Sequence, residues 1–241
     1  MNTLELLNKN HIEISSQTEF DIFYYTFLDA SMDFYTNINT NFIELTHKNT
    51  YFVLCSGEKN GNRYCDILAG TLGPKTIFLN SEKNSMVCKF NLFKKHLIDH
   101  KNIYQNSIFC KIDTDLVHYH CKQFHDLIRL KFENDRSLFI GNENKIGSDR
   151  YIRGGLNAVH FQSLATCPDL PENHDPREFD LIFSQYLLKS KISKLHNVSL
   201  FTQSDRVNSS TFATHIRSQR LSKSKPNELS SLLSQLKTLN F

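Results

Sequence analysis

Apolar and polar positions along this chain follow two rhythms. In FDIFYYTFL (20–28), MDFYTNI (32–38), TYFVLCS (50–56) and KTIFLN (75–80), short runs rich in aromatic and β-branched residues are bounded by Asp, Asn, Gly and Ser, which predicts strands. NFIELTHKN (41–49), NLFKKHLIDH (91–100) and TDLVHYHCKQFHDLIRLKF (114–132) read as helices instead. In the last of these, Leu116, His120, Phe124, Leu127, Ile128 and Leu130 recur near helical spacing, and Asp115 supplies an early-turn acid that favours the helix dipole.

Between Glu133 and Pro176 the regular rhythm gives way to Asn, Gly, Asp and Pro punctuation, which marks a boundary. The expected organisation is an α+β domain over residues 1–136, a connector over 137–175 and a small all-α domain over 176–241. The third part opens on a well-marked helix. Asp175 can cap it, Pro176 suits its first turn and Glu178 sits three residues after the cap, while Phe179, Ile182, Phe183, Tyr186 and Leu187 form one apolar face. Ser224 precedes a closing helix with Leu229, Leu232, Leu233 and Leu236 on one side. Two shorter helices, around VSLFTQSD and SSTFATHIRSQRL, are expected between them.

Charge and composition then narrow the partners. The chain has 241 residues and a formal net charge of +3, with no Trp and 19 Phe, so Phe and Tyr supply the large core pieces. From Lys191 to Lys225 the bases are opposed only by Asp205, a local excess of about +6. The six cysteines are scattered, with no CxxC pair, and read as reduced thiols. No stretch is apolar enough for a membrane helix, and the first residues lack the apolar core of a secretory signal, so a soluble cytoplasmic protein is expected. No cofactor and no metal is expected.

Four helices with a tightly joined middle pair make a helix-turn-helix, whose second helix enters the major groove. Within SSTFATHIRSQRL, Phe212 and Ile216 face inward and Ala213, Thr214, Arg217, Ser218 and Arg220 face outward; with Ser210, Thr211 and Lys223 these form the expected DNA-contacting set. The segment from Pro176 resembles the DNA-binding domain of LuxR-type transcription regulators. Pro176-Arg177-Glu178 matches the start of that pattern, Thr211-Phe212-Ala213-Thr214-His215 its recognition helix, and Glu228-Leu229 its closing helix. The first domain resembles the PAS-like sensory portions that precede such domains. The resemblance implies a non-enzymatic regulator, binding double-stranded DNA as a homodimer and sensing a small molecule or protein through its first domain.

Two rivals come from other classes. Asp205 and Arg206 stand at turn positions where the LuxR-type pattern carries Leu and Gly, which favours a protein-interaction module that no longer binds DNA. An enzyme or metal-binding protein is the other. VHYHCKQFH offers His118, His120, Cys121 and His125, with Cys121 and His125 one helical turn apart, a spacing that can chelate zinc. GTLGPKT (70–76) is too short for a phosphate loop and reads as a turn. SDRYIRGGLNAVHF brings Arg150, Arg153 and Gly154-Gly155 before His160, a set able to bind phosphate but better read as an interdomain connector.

Overall fold

A computed structural model of the chain describes residues 20–28, 50–56, 77–81, 83, 85–113, 116–118, 120–173, 178–190, 194–202 and 211–215. Its centre is a mixed seven-stranded sheet. Strands β1 (Asp21–Leu28), β2 (Thr50–Ser56), β3 (Ile77–Asn80) and β4 (Ser107–Ile112) run parallel in the order β3-β2-β1-β4. The short helices α1 (Met86–Asp99) and α2 (Lys101–Tyr104) connect β3 to β4. A three-residue strand β5 (Leu116–His118) and helix α3 (Cys121–Asn134) follow, then the hairpin of β6 (Leu138–Ile146) and β7 (Asp149–His160). β7 lies antiparallel against β4, β6 lies antiparallel against β7, and β8 (Lys194–Asn197) adds a parallel edge to β6. Helices α4 (Phe161–Thr166) and α5 (Phe179–Lys189) follow β7 in sequence. Two short strands, β9 (Phe201–Thr202) and β10 (Ala213–His215), join β5 in a second sheet of order β5-β10-β9.

Strand β1 explains why the sheet is covered on both faces. Successive side chains on a strand point to opposite sides. Ile22 and Tyr24 enter one core with Phe124 and Ile128 of α3, Phe201 and Phe212; Phe23, Tyr25 and Phe27 enter the other with Phe90 and Phe93 of α1 and Phe179 and Phe183 of α5. A near-continuous apolar strand of this kind is what a parallel sheet buried between two layers requires. Ring contacts dominate the second core: Tyr25 stacks on Phe93 at 4.5 Å and Phe90 meets Phe183 at 4.7 Å.

This architecture replaces the expected PAS-like domain and four-helix domain. The stretch 137–175 supplies β6, β7 and α4, with β7 between β4 and β6 inside the central sheet. The helix predicted from Asp175 is observed as α5, yet its apolar face covers β7; Ser184 Oγ accepts a hydrogen bond from the Ile152 amide at 3.0 Å. Thr211 to His215, expected to open a recognition helix, is not helical: Thr211 and Phe212 form a bend, Phe212 N donates to Leu200 O at 2.8 Å, and Ala213–His215 is strand β10, paired with β5 and β9. The long helix expected over 114–132 is interrupted. His120 adopts a left-handed conformation (φ 55°) that separates β5 from α3. The predictions at 32–38 and 41–49 and the closing helix from Ser224 lie outside the described residues. No helix among the described residues is long and apolar enough to cross a membrane.

Candidate functional site

Open sheets of parallel strands bind ligands beyond the carboxyl ends of those strands, because loops and unpaired backbone groups converge there. Among the described residues, the acidic one immediately after a parallel strand is Asp113, which follows β4. All six residues of β4 are buried, and one of them is charged: Lys111, whose side chain is 3% exposed against 32% for Asp113. A buried ammonium needs partners. Lys111 Nζ donates to Asp113 Oδ1 at 2.5 Å and to Gly154 O at 2.8 Å.

The neighbouring strand holds Asp113 from the other end. The Asp113 amide donates to Gly155 O at 2.9 Å, so backbone and carboxylate are both tied, directly or through Lys111, to Gly154-Gly155 of β7. Helix α5 closes the arrangement, for the Gly154 amide donates to Asp180 Oδ2 at 2.7 Å. Both glycines are dictated by crowding. A Cβ on Gly154 would overlap the Asp180 carboxylate and stand 2.7 Å from Lys111 Nζ, and one on Gly155 would stand 2.7 Å from the Phe201 ring. Glycine inside a strand marks such a close approach. The result is a carboxylate at the carboxyl edge of the parallel strands, tied to the buried Lys111, Gly154 and Gly155.

The residues singled out from sequence fall elsewhere. Thr211 and Ala213 are buried, and Ala213 and Thr214 sit in β10; Ser210, Arg217, Ser218, Arg220 and Lys223 lie outside the described residues, as do Asp205, Arg206 and GTLGPKT. Arg150 pairs with Glu143 across the exposed β6-β7 hairpin at 2.5 Å. His160 ends β7 at the opposite edge from Asp113, beside the start of β4; its Nδ1 accepts from the Gln162 amide, and burial, with Arg136 adding, pushes its pKa down to about 4. Of the Arg-Gly-Gly segment, the glycines belong to the Asp113 site.

The His-rich segment forms a different structure from a chelate. Tyr24 Oη lies 3.1 Å from His118 Nε2 and 3.0 Å from His125 Nε2, and His118 Nδ1 lies 2.9 Å from Phe212 O. A carbonyl only accepts, so His118 carries its proton on Nδ1 and its Nε2 accepts a hydrogen bond from the Tyr24 hydroxyl, while His125 donates from Nε2 to the Tyr24 oxygen. The network pins β5 and β10 to β1 and α3. Cys121, on the first turn of α3, is buried, and burial pushes its thiol up to about 12, which disfavours the thiolate a soft metal ion needs. Tyr24→Phe removes two buried hydrogen bonds and is expected to cost about 2 kcal/mol in urea unfolding; a cost near zero would mean the network contributes nothing. Among the described residues no group of three or more His, Cys, Asp and Glu side chains is placed to hold a metal ion.

Sequence reading missed Asp113. The available signal was KIDTD: an apolar run closed by two acids with one residue between, Asp113 and Asp115. Asp115 itself lies outside the described residues.

No protein-family model matches the chain, and no curated protein matches it by sequence. Its structure is similar to that of the mannosyltransferase PcManGT from Pyrobaculum calidifontis, determined in complex with GDP-Man and Mn2+, with a TM-score of 0.52 and 9% identity over 74% of this chain. The match takes in 55% of that enzyme's chain, so this chain spans little more than half of it. Looser likenesses are to the galactosyltransferase LgtC in complex with donor and acceptor sugar analogs (TM-score 0.49, 10% identity, 89% of this chain and 96% of that one) and to a putative nucleotide-diphospho-sugar transferase from Desulfovibrio desulfuricans G20 (0.45, 10%, 75% and 83%). At such identity the likeness is one of fold: the chain has the mixed-sheet architecture of the mannosyltransferase. That finding overturns the LuxR-type resemblance, and with it the sensory domain, the double-stranded DNA partner, the homodimer argued from paired DNA half-sites, and the expectation of a non-enzyme.

Proposed function

We propose that the chain is a glycosyltransferase that takes its sugar from a nucleoside diphosphate donor. The observation that carries the reading is the clamped carboxylate of Asp113 at the carboxyl edge of the parallel strands, in a fold shared with a mannosyltransferase. In the reaction the bond from the anomeric carbon to the diphosphate oxygen breaks with its electron pair going to that oxygen, a bond to an acceptor hydroxyl oxygen forms, the hydroxyl proton is released to solvent, and the nucleoside diphosphate leaves.

A divalent cation of the Mg2+ or Mn2+ kind fits the residues present. Such ions take oxygen donors and are commonly held by one or two carboxylates plus the substrate's phosphates, so a large protein cage is not required. Asp113 would supply one carboxylate, and Asp115, two residues on in the sequence, is the natural second. When bound, the cation would neutralise charge developing on the leaving diphosphate. The protein's own part is to hold Asp113 still: its amide is fixed by Gly155 and its carboxylate by Lys111, which leaves little reorganisation for the moment of reaction.

The test is a panel of UDP- and GDP-sugars incubated with the purified chain and Mn2+ or Mg2+, with release of nucleoside diphosphate followed. Metal-dependent release that stops on chelation is the expected result. Absence of both release and donor binding across the panel would overturn the reading.

A further inference from the structure

Lys111 is an unusual neighbour for a residue proposed to hold a dication. It is buried, so it cannot itself grip a substrate, and yet its ammonium is 2.5 Å from the carboxylate that the cation would use. Building on the function proposed above, we infer that Lys111 makes cation binding at Asp113 conditional on the diphosphate. It is a positioning residue that offsets the carboxylate's charge toward a bare ion and fixes the carboxylate for an ion that arrives with its phosphates.

The charges facing Lys111 support this. Among the described residues, Lys111 meets Asp113 just after β4 and the carbonyl of Gly154 on β7, while from α5 come the Asp180 carboxylate, crowded over the same glycine, and the Phe179 ring, its centroid 6.0 Å from Nζ. The Gly154 amide already engages Asp180. A bare dication approaching Asp113 therefore meets a carboxylate with an ammonium directly behind it, and the repulsion takes back much of the attraction. A dication carrying a nucleoside diphosphate has net negative charge, and the same ammonium attracts it. By linkage, cation and diphosphate must then raise each other's affinity by equal factors.

The experiment measures Mn2+ binding by electron paramagnetic resonance, alone and with UDP or GDP, and nucleotide binding by calorimetry with and without Mn2+. In the wild type, the diphosphate is expected to tighten Mn2+ by about tenfold or more. Lys111→Met is expected to tighten Mn2+ alone by about tenfold and to weaken the Mn2+–nucleotide pair by about tenfold, shifts of opposite sign. Lys111→Arg, which keeps the charge but not the compact ammonium, should retain the weak binding of the bare ion. Equal shifts of the same sign in Lys111→Met, or none, would mark Lys111 as merely structural and overturn the inference. If that variant does not fold, the wild type decides: Mn2+ held as tightly alone as with nucleotide overturns the inference and leaves the glycosyltransferase reading standing. A wild type that binds neither UDP nor GDP with Mn2+ overturns that reading and this inference together.

Discussion

Asp113→Asn is expected to lower metal-dependent release of nucleoside diphosphate by about a hundredfold or more. The change removes one charge and almost no volume. The Asn amide oxygen can still accept from Lys111, and the backbone tie from Asp113 N to Gly155 O at 2.9 Å does not involve the side chain. Stability should fall by about 2–3 kcal/mol, because the buried Lys111 ammonium keeps two oxygen acceptors, the new amide and Gly154 O, but loses its counter-charge. Activity and unfolding free energy measured on one preparation separate the two effects. Near-normal activity with intact folding would remove Asp113 from the reaction.

The same neighbourhood explains which parts of the molecule were readable in the sequence. β1 and β2 match the predicted runs 20–28 and 50–56 closely, and β3 falls within 75–80, because each is an apolar stretch with clean polar ends. α5 was readable too, since the offsets of Phe179, Ile182, Phe183 and Leu187 belong to one helical face; what that face covers was not, because a helix pattern says nothing about its partner. β7 was opaque. Its Asp, Gly and Asn residues are loop formers by local preference, and the two glycines sit in a central strand where Lys111, Asp180 and Phe201 crowd against them. β10 was opaque for another reason. Phe212 and Ala213 are adjacent and both buried, so no alternation marks a strand, and the pairing that makes it one comes from β5, about a hundred residues earlier. The LuxR-type likeness was assembled from short local matches of this kind. Asp113 was hidden by its own support: Lys111 interrupts the apolar run of β4, and Asp115 reads equally well as a helix-opening acid.

If the glycines of β7 seat the site, Gly154→Ala should be costly in both stability and activity. The added methyl would overlap the Asp180 carboxylate and lie 2.7 Å from Lys111 Nζ. Ordinarily the ends of long side chains can move aside, but here Asp180 is bound by the Gly154 amide itself and Lys111 by Gly154 O and Asp113. Making room means breaking one of those contacts, and overpacking at a buried position costs about 1–3 kcal/mol before the lost hydrogen bond is added. Displacing Lys111 also releases Asp113, so release of nucleoside diphosphate is expected to fall about tenfold or more, a loss a purely mechanical defect elsewhere would not produce. Gly147→Ala is the matched control. Gly147 has φ +61° and nothing within 4 Å of its added methyl, so that change meets only backbone strain of about 1 kcal/mol at the β6-β7 turn, and activity should be unchanged. Urea unfolding and donor turnover of the two variants side by side make the comparison. Equal costs in both would mean that glycine at 154 answers a backbone preference, and that the clamp on Asp113 is loose.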